Sequence, residues 1–385
     1  MLLTKTEFKI VFDIAQINEE HWNSIVSNTI FLDLAYLQAI EKTVSEVSQF
    51  IYVIYYDNEN KPIGKSVFQL LEYDSSTFNF DSIPCKFQNK ILRHFLNRKI
   101  TILIAGNIFA TGENTFYFNT NISTKTIFKQ LNNAINDLIK RNKSINYTIF
   151  KEFYPDTIDK DYLIKKHDFI KFNIDVNMVL SIKENWQNFE DILKDFKTKY
   201  RSRSKNVLLK SNELTIKEFS TLDIKNNADS IKKLYNQVIK NSNFNIGIFN
   251  TNTFIKLKEN LSKQYHFFGY YINDNLLGFR TSFINNNTLE ASFIGIDYTQ
   301  NLKYNLYQKM LIDYINFGLN NKVSKIHFGR TAETMKSCVG AQPTTMDLYI
   351  KARKKTGKFL LNLIVKNINP TEFSLRNPFK KEFYN

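Results

Sequence analysis

Ile326-His327-Phe328-Gly329-Arg330-Thr331-Ala332-Glu333-Thr334-Met335-Lys336, followed by Gly340-Ala341-Gln342-Pro343, is the stretch from which the rest of the chain is interpreted. Alternating apolar and polar residues at 323–328 predict a strand that ends at Gly329. Two cations and two hydroxyls follow directly, at Arg330, Thr331, Thr334 and Lys336. Because ligands of α/β folds bind beyond the carboxyl ends of strands, this cluster is a candidate binding site. A solvated loop with ordinary cations is the alternative interpretation.

The length and composition indicate a globular protein with more than one domain. The chain has 385 residues, enough for two to three domains, and 43% of them are hydrophobic. The sequence contains no apolar run of the length that a membrane-spanning helix needs. The first residues lack the apolar stretch of a signal peptide, so we expect a cytoplasmic protein.

The few cysteines and histidines exclude several kinds of site. Cys85 and Cys338 are too few for a disulfide framework and fit a reducing compartment. The five histidines are scattered and form no Cys/His cluster, so we predict no metal site. Cys338 as a nucleophile with His327 as its base is an alternative, although a single cysteine more often serves packing.

Positive charge is concentrated in two segments of the chain. Of the formal net charge of +15, residues 197–210 carry +6 and residues 351–385 carry +7. The first of these segments contains no acidic residue at all. Localised charge of this kind favours an anionic partner.

The two halves of the chain show a similar order of predicted elements. In the first half we predict helices at 31–44 and 127–138 and strands at 8–14, 50–56, 63–73, 100–104, 115–118, 146–153 and 175–182, the last of which closes this half. In the second half we predict helices at 231–239, 254–261 and 306–315 and strands at 266–272, 276–284, 289–296 and 323–328. The last two strands should be parallel in one mixed sheet, because a helix of about sixteen residues crosses between them. The shared order indicates a duplicated unit.

The order of residues around Arg330 resembles the end of Fem-type acyltransferases, a group within the GNAT superfamily of N-acyltransferases. The matching positions are Phe328, Gly329, Arg330, Thr331, Lys336, Gly340, Ala341, Pro343 and Tyr349. The resemblance implies an α/β (α+β) fold with two tandem GNAT-like domains, whose mixed, mostly antiparallel sheets are joined by a basic helical linker. We place an N-terminal GNAT-like domain at residues 1–183, the linker at 184–215, a C-terminal GNAT-like acyltransferase domain at 216–352 and a basic tail at 353–385.

The same resemblance implies an activity. Fem-like proteins are N-acyltransferases, so we expect transfer of an activated acyl or aminoacyl group to an amine acceptor in cell-envelope (peptidoglycan, polysaccharide or lipid) biosynthesis. The donor carrier would be CoA, acyl carrier protein or tRNA, and no cofactor is expected to be bound permanently. A non-catalytic GNAT shell that binds tRNA or an anionic lipid or nucleotide-linked ligand is the alternative function. The basic segments would also suit peripheral contact with the inner face of the membrane.

Residue roles follow from the resemblance as well. It implies that Lys336 holds the oxyanion of acyl transfer, as a lysine at the matching place does in Fem peptidyltransferases. It implies that Arg330, with Thr331 and Thr334 beside it, holds an anionic part of the donor or acceptor. Glu290 lies on the strand from which a carboxylate can relay a proton from the attacking amine in GNAT proteins. A salt-bridged carboxylate at a strand start is the alternative for Glu290.

Two further segments are candidates for contact with the donor carrier. Residues 297–305 replace the glycine-rich loop that binds the pyrophosphate of CoA in GNAT enzymes, and they contain no glycine. Lys303 could supply a cation there, but we predict no tight pyrophosphate site. In the predicted linker, Lys199, Arg201 and Arg203 form a strip suited to phosphates or to an acidic carrier protein. A solvated helix end between two domains is the alternative for this strip.

Overall fold

The computed structural model describes residues 7–44, 46, 48–74, 99–155, 161–173, 175–241, 249–367 and 372–383. The chain forms two compact units. The first unit comprises Met1–Asp175 with Thr345–Thr371, and the second comprises Val176–Thr344 with Glu372–Asn385. These bounds differ from the predicted ones, because residues 184–215 belong to the second unit and residues 353–385 are divided between the two units.

The first unit is one mixed sheet with helices on its faces. Its helices are α1 (Glu19–Ser24), α2 (Leu34–Glu41), α3 (Thr124–Arg141), α4 (Asp161–His167) and α13 (Lys355–Asn367). Its strands are β1 (Glu7–Val11), β2 (Gln49–Tyr56), β3 (Pro62–Asp74), β4 (Lys99–Ala105), β5 (Phe116–Phe118), β6 (Ile145–Phe153), β7 (Ile170–Phe172) and β15 (Asp347–Ala352). The strand order is β1-β2-β3-β4-β6-β15-β7, with β5 paired to β3.

The sequence pattern explains the crossover in this sheet. Ser123 caps the N-terminus of α3, and Phe128, Leu131, Ile135 and Leu138 bury one face of that helix. The helix connects β4 to β6, which are parallel and paired from Thr101–Ile145 to Ala105–Phe150. Strand β4 is therefore paired with β6 up to its last residue, Ala105.

The second unit repeats this arrangement. Its helices are α5 (Phe189–Asp195), α6 (Thr198–Lys210), α7 (Thr221–Asn226), α8 (Ala228–Lys240), α9 (Thr251–Asn260), α10 (Tyr298–Tyr304), α11 (Leu306–Asn320) and α12 (Glu333–Ser337). Its strands are β8 (Val176–Ser181), β9 (Thr215–Glu218), β10 (Tyr265–Ile272), β11 (Asn275–Asn285), β12 (Thr288–Ile296), β13 (Lys325–His327) and β14 (Gln342–Thr345). The order is β14-β8-β13-β12-β11-β10-β9, and β12 runs parallel to β13.

This sheet confirms the prediction that the hairpin at 266–284 shares one mixed sheet with two later parallel strands. Helices α8 and α9 pack on one face, where Phe254 contacts Phe267, Phe279 and Phe293. Helix α11 packs on the other face: its Phe317 contacts Phe268, the neighbour of Phe267 in β10, and neighbouring residues of a strand point to opposite sides. The helix predicted at 306–315 is α11, and the segment 297–305 before it contains the additional short helix α10, which ends at Asn305 with a left-handed φ of 49°.

Two strands belong to a different sheet from the one that the predicted domain bounds imply. Strand β8, predicted to close the first half, pairs with β13 of the second unit at Ile326–Leu180. Strand β15 lies within residues 216–352, which we assigned to the C-terminal domain, but it pairs with β6 and β7 of the first unit. Alternation shows that a segment is a strand but does not show which sheet it joins, and both placements were therefore wrong.

The predicted basic tail is partly built into the second unit. Phe379 is fully buried and stacks on Trp186 and Phe383 at ring-centroid distances of 5.5 Å and 3.7 Å. The Lys197 amide donates to the Pro378 carbonyl at 2.7 Å. Residues 372–383 thus complete the core next to α5 and α6. Among the described residues, no helix is both long and apolar enough to cross a membrane.

Candidate active site between two separating strands

The parallel strands β12 and β13 are paired over only three residues. The pairs are Thr288–Lys325, Leu289–Ile326 and Glu290–His327. Beyond this point β12 continues to Ile296, whereas Phe328 donates its amide to Met178 of β8. The side chains at 291–294 of β12 are half-buried. We call the place where the two strands separate, between residues 291–296 on one strand and 328–336 after the other, the strand opening.

The segment after β13 turns sharply. Gly329 has a φ of 74°, and Thr331 and Ala332 have φ values of 65° and 52°. A left-handed backbone at a residue with a side chain costs on the order of 1–3 kcal/mol, and such residues cluster at functional sites. The Gly329 amide donates to Asn177 Oδ1 at 3.0 Å, which ties the turn to β8.

Lys336 is the central cation of this segment. It is 5% exposed, and its Nζ donates to the Gly329 carbonyl at 3.2 Å and to the Arg330 carbonyl at 2.6 Å. Burial lowers the pKa of Lys336 to about 7; Glu333 opposes this shift and Arg330 adds to it. Lys336, a predicted site residue, is therefore a buried amine whose pKa lies well below the ordinary lysine value.

The two predicted hydroxyls lie in different surroundings. Thr331 is exposed at the strained turn. Thr334 Oγ1 instead accepts the Ser374 amide at 3.2 Å, and the Thr334 carbonyl accepts from Ser337 Oγ at 2.8 Å. Ser337 Oγ in turn accepts the Arg376 amide at 3.0 Å. Thr334 therefore anchors α12 to the C-terminal segment, and this contact differs from the predicted contact with substrate.

Glu290 contacts His327, which agrees with the alternative interpretation of Glu290 as a paired carboxylate at a strand start. Both oxygens of its carboxylate lie 3.1 Å from Nδ1 of His327. Cys338 makes other contacts: its Sγ donates to the Thr334 carbonyl at 3.3 Å and accepts from Arg203 Nη1 at 3.7 Å. The Glu290–His327 pair was missed from the sequence, although the predicted parallel strands place both residues near the same edge.

The solved structures that resemble this chain share its architecture. FemX aligns with a TM-score of 0.56 at 11% identity, covering 92% of this chain and 99% of FemX. A Bacteroides thetaiotaomicron protein of unknown function gives a TM-score of 0.51 at 11% identity, with 91% and 100% covered. A tandem GNAT protein from the clavulanic acid biosynthesis pathway gives 0.50 at 7% identity, with 90% and 98% covered. No family model and no curated protein matches the sequence.

The chain has a Fem-like tandem GNAT fold. Because the sequence identities are 11% or lower, this likeness concerns the fold, and the chemistry of the site is argued from the residues themselves.

In this GNAT fold, the segment between β12 and α11 offers little to a pyrophosphate. The Asp297 carboxylate accepts the Thr299 amide at 2.9 Å and so occupies the N-terminus of α10. Asn301 Oδ1 accepts the Tyr307 amide at the start of α11, also at 2.9 Å. Lys303 is exposed, with its Nζ 4.7 Å from the centre of the Tyr304 ring. The anion-binding amides of both helices are thus already partly used by the chain itself.

The predicted basic strip lies on α6. Lys199 and Arg203 are exposed, whereas Arg201 is half-buried and donates from Nη2 to the Phe196 carbonyl at 3.1 Å. Arg201 thus differs from its predicted role and caps the preceding segment. Within the described part of the chain, none of the α6 cations forms an ion pair. Nor do the described residues include three His, Cys, Asp or Glu side chains placed to hold a metal ion.

Proposed function

We propose that this protein is an N-acyltransferase that moves an activated acyl or aminoacyl group to an amine acceptor in cell-envelope biosynthesis. The observation that carries the proposal is the strand opening with Lys336 beside it. Lys336 is a buried amine that contacts the two carbonyls following β13. A site that lies outside the end of a strand and contains a titratable group with a shifted pKa is typical of catalysis.

Lys336 suits the needs of the reaction. When an amine attacks a thioester or ester, negative charge develops on the carbonyl oxygen, and a fixed donor lowers the barrier. An ammonium group has three N–H donors, of which two reach Gly329 and Arg330 within the described residues. The third would donate to the substrate oxygen. We assign Arg330, half-buried at the turn, to an anionic group of donor or acceptor.

The basic strip of α6 supports the proposal that the acyl group is delivered on an anionic carrier. The exposed cations of α6, which form no ion pair among the described residues, would attract phosphates of tRNA or CoA, or the carboxylates of acyl carrier protein. Because Asp297 occupies the helix end that would hold a pyrophosphate, recognition of the carrier would depend on Lys303 and α6 more than on a backbone cradle. Leu209 and Leu302, which are 68% and 82% exposed, lie on the packed helices α6 and α10 and would suit peripheral contact with an anionic membrane.

Native mass spectrometry and product analysis test the proposed function together. The purified protein is mixed with acetyl-CoA, acetylated acyl carrier protein or alanyl-tRNA, and with lysine, glucosamine or ethanolamine as the amine. We expect a complex with at least one carrier and an amide product with at least one amine. If a carrier binds but no amide forms with any amine, the protein is the non-catalytic binding module instead.

A further inference from the structure

Glu290 and His327 form the last paired rung before β12 and β13 separate. In a parallel pair, facing residues project from the same face of the sheet, and here the two side chains touch. The His327 Nδ1 atom is 3.1 Å from both carboxylate oxygens, and the side chains are 16% and 12% exposed. The pair therefore lies at the base of the strand opening, and most of its surface is removed from water.

The face of the sheet can be identified from the register. Glu290 is paired with Phe283, and Phe283 is paired with Tyr265 of β10. Tyr265 shares its face with Phe267, which packs against Phe254 of α9. The pair is thus on the α8 and α9 face, opposite α11. On its other side His327 faces the uncharged Val179 of β8, and the charged residues that follow it along the chain are Arg330, Glu333 and Lys336.

The contact with Glu290 decides which nitrogen of His327 is basic. An ionised carboxylate only accepts hydrogen bonds, so Nδ1 carries the hydrogen. The lone pair of the neutral ring is then on Nε2, and the carboxylate stabilises the ring when Nε2 takes up a proton. A carboxylate in this position orients the imidazole without exchanging the proton itself.

We infer that His327 is the general base of the acyl transfer and that Glu290 is its positioning residue; this inference rests on the proposed function. It changes the role expected for Glu290, since the carboxylate acts through the imidazole. An amine acceptor is mostly an ammonium ion at neutral pH and must lose a proton before it can attack. Histidine is the side chain that gains and loses a proton in this pH range.

The transfer balances with these two groups. Nε2 of His327 takes one proton from the acceptor ammonium and later releases it to solvent. The free amine forms a C–N bond with the acyl carbon, and the C–S or C–O bond to the carrier breaks with its electron pair on the leaving atom. The second proton that the nitrogen loses as the amide forms neutralises that leaving atom. Lys336 would act on the carbonyl oxygen and takes no part in this proton transfer.

A matched control exists in the same sheet. His266 of β10 also contacts a glutamate through Nδ1, at 2.8 Å from Glu218, but it is two strands away from the opening. Replacing His266 by Gln removes the same kind of ion pair from the sheet without touching the site. A general effect of losing a strand-bridging pair would appear in both variants.

The test measures kcat of amide formation for wild type, His327→Gln, Glu290→Gln and His266→Gln, with the donor and amine probes named above. We expect His327→Gln to lower kcat by about 100-fold or more, because the group that takes up the ammonium proton is lost. Glu290→Gln should lower kcat less, because the imidazole is still present but is no longer held in one orientation by the carboxylate. His266→Gln should match wild type.

Histidine ¹⁵N NMR gives a readout that does not depend on turnover. We expect His327 in wild type to be fixed as the Nδ1–H tautomer and to become a mixture of tautomers in Glu290→Gln. Transfer by His327→Gln at the wild-type rate would overturn this inference and leave the proposed function intact. Absence of transfer by wild type with every probe would overturn both.

Discussion

At the scale of single residues, the site depends on the unusual environment of Lys336. Its two carbonyl partners belong to a turn with a left-handed backbone, and its ammonium group is almost completely removed from water. The residue type and its place after a strand were readable from the sequence. Its burial was not, because the turn and α12 are held by β8 and by residues 372–383, which come from distant parts of the chain.

Replacing Lys336 by Met should lower turnover by about 100- to 1000-fold while donor binding measured by native mass spectrometry stays unchanged. The reason is that the oxyanion donor acts mainly in the transition state. Lys65→Met is the matched control, since Lys65 is 2% exposed in the first unit and burial lowers its pKa to about 8. If the two variants lose turnover equally, Lys336 has no special role.

The pKa of Lys336 also predicts how stability depends on pH. Its folded-state pKa is about 7, below the ordinary value of 10.5, so the unfolded chain holds more protons between these values. The free energy of unfolding contributed by this residue should rise as pH increases from 7 to 10.5. Urea denaturation of wild type and Lys336→Met at pH 7 and pH 9.5 measures this. The free energy of unfolding of wild type relative to that of Lys336→Met should be higher at pH 9.5 than at pH 7. The same difference at both pH values would contradict the lowered pKa of Lys336.

At the scale of elements, α6 illustrates what a charge pattern can and cannot reveal. The sequence indicated the concentration of cations correctly, but it treated Lys199, Arg201 and Arg203 as equivalent. Helical spacing places Lys199 and Arg203 on one exposed stripe, while Arg201 turns to the Phe196 carbonyl. The Glu290–His327 pair was missed for a related reason: its register across two strands is fixed by tertiary pairing.

Changing Lys199 and Arg203 together to Gln should weaken binding of alanyl-tRNA and flatten its salt dependence, because fewer counterions are released. Unfolding by urea should change little, since exposed charges contribute little to stability and the contact of Arg203 with Cys338 Sγ is long at 3.7 Å. Arg201→Gln serves as the contrast. It should lower the free energy of unfolding, and it should change the salt dependence of tRNA binding less than the double variant does. If the salt dependence of tRNA binding is unchanged in the double variant, the cations of α6 are ordinary solvated surface residues and do not bind the carrier.

The C-terminal segment makes a prediction of its own. Phe379 is fully buried between Trp186, Phe196 and Phe383. Its replacement by Ala should cost about 3–5 kcal/mol of unfolding free energy, measured by urea denaturation. Phe359→Ala is the control, because Phe359 is 67% exposed on α13. Equal stability of the two variants would mean that residues 372–383 are not part of the second unit's core.

At the scale of the whole molecule, the two units have similar sheets but differ where acyl transfer would occur. In the first unit β4 is paired with β6 through Ala105, and Lys151 and Glu152 form a buried ion pair near that strand end. In the second unit β12 continues six residues beyond its last pair with β13, from 291 to 296. The duplication was predictable from element order, whereas this asymmetry depends on how far two strands stay paired.

Hydrogen–deuterium exchange with the bound donor carrier tests most directly that the strand opening of the second unit is the reaction site. Amides of β12 that lack a strand partner should exchange readily in the free protein and become protected on binding. With the carrier identified among acetyl-CoA, acetylated acyl carrier protein and alanyl-tRNA, we predict protection at residues 291–296 and 328–340. Protection confined to the first unit, at residues 99–105 and 145–153, would contradict the assignment of the active site.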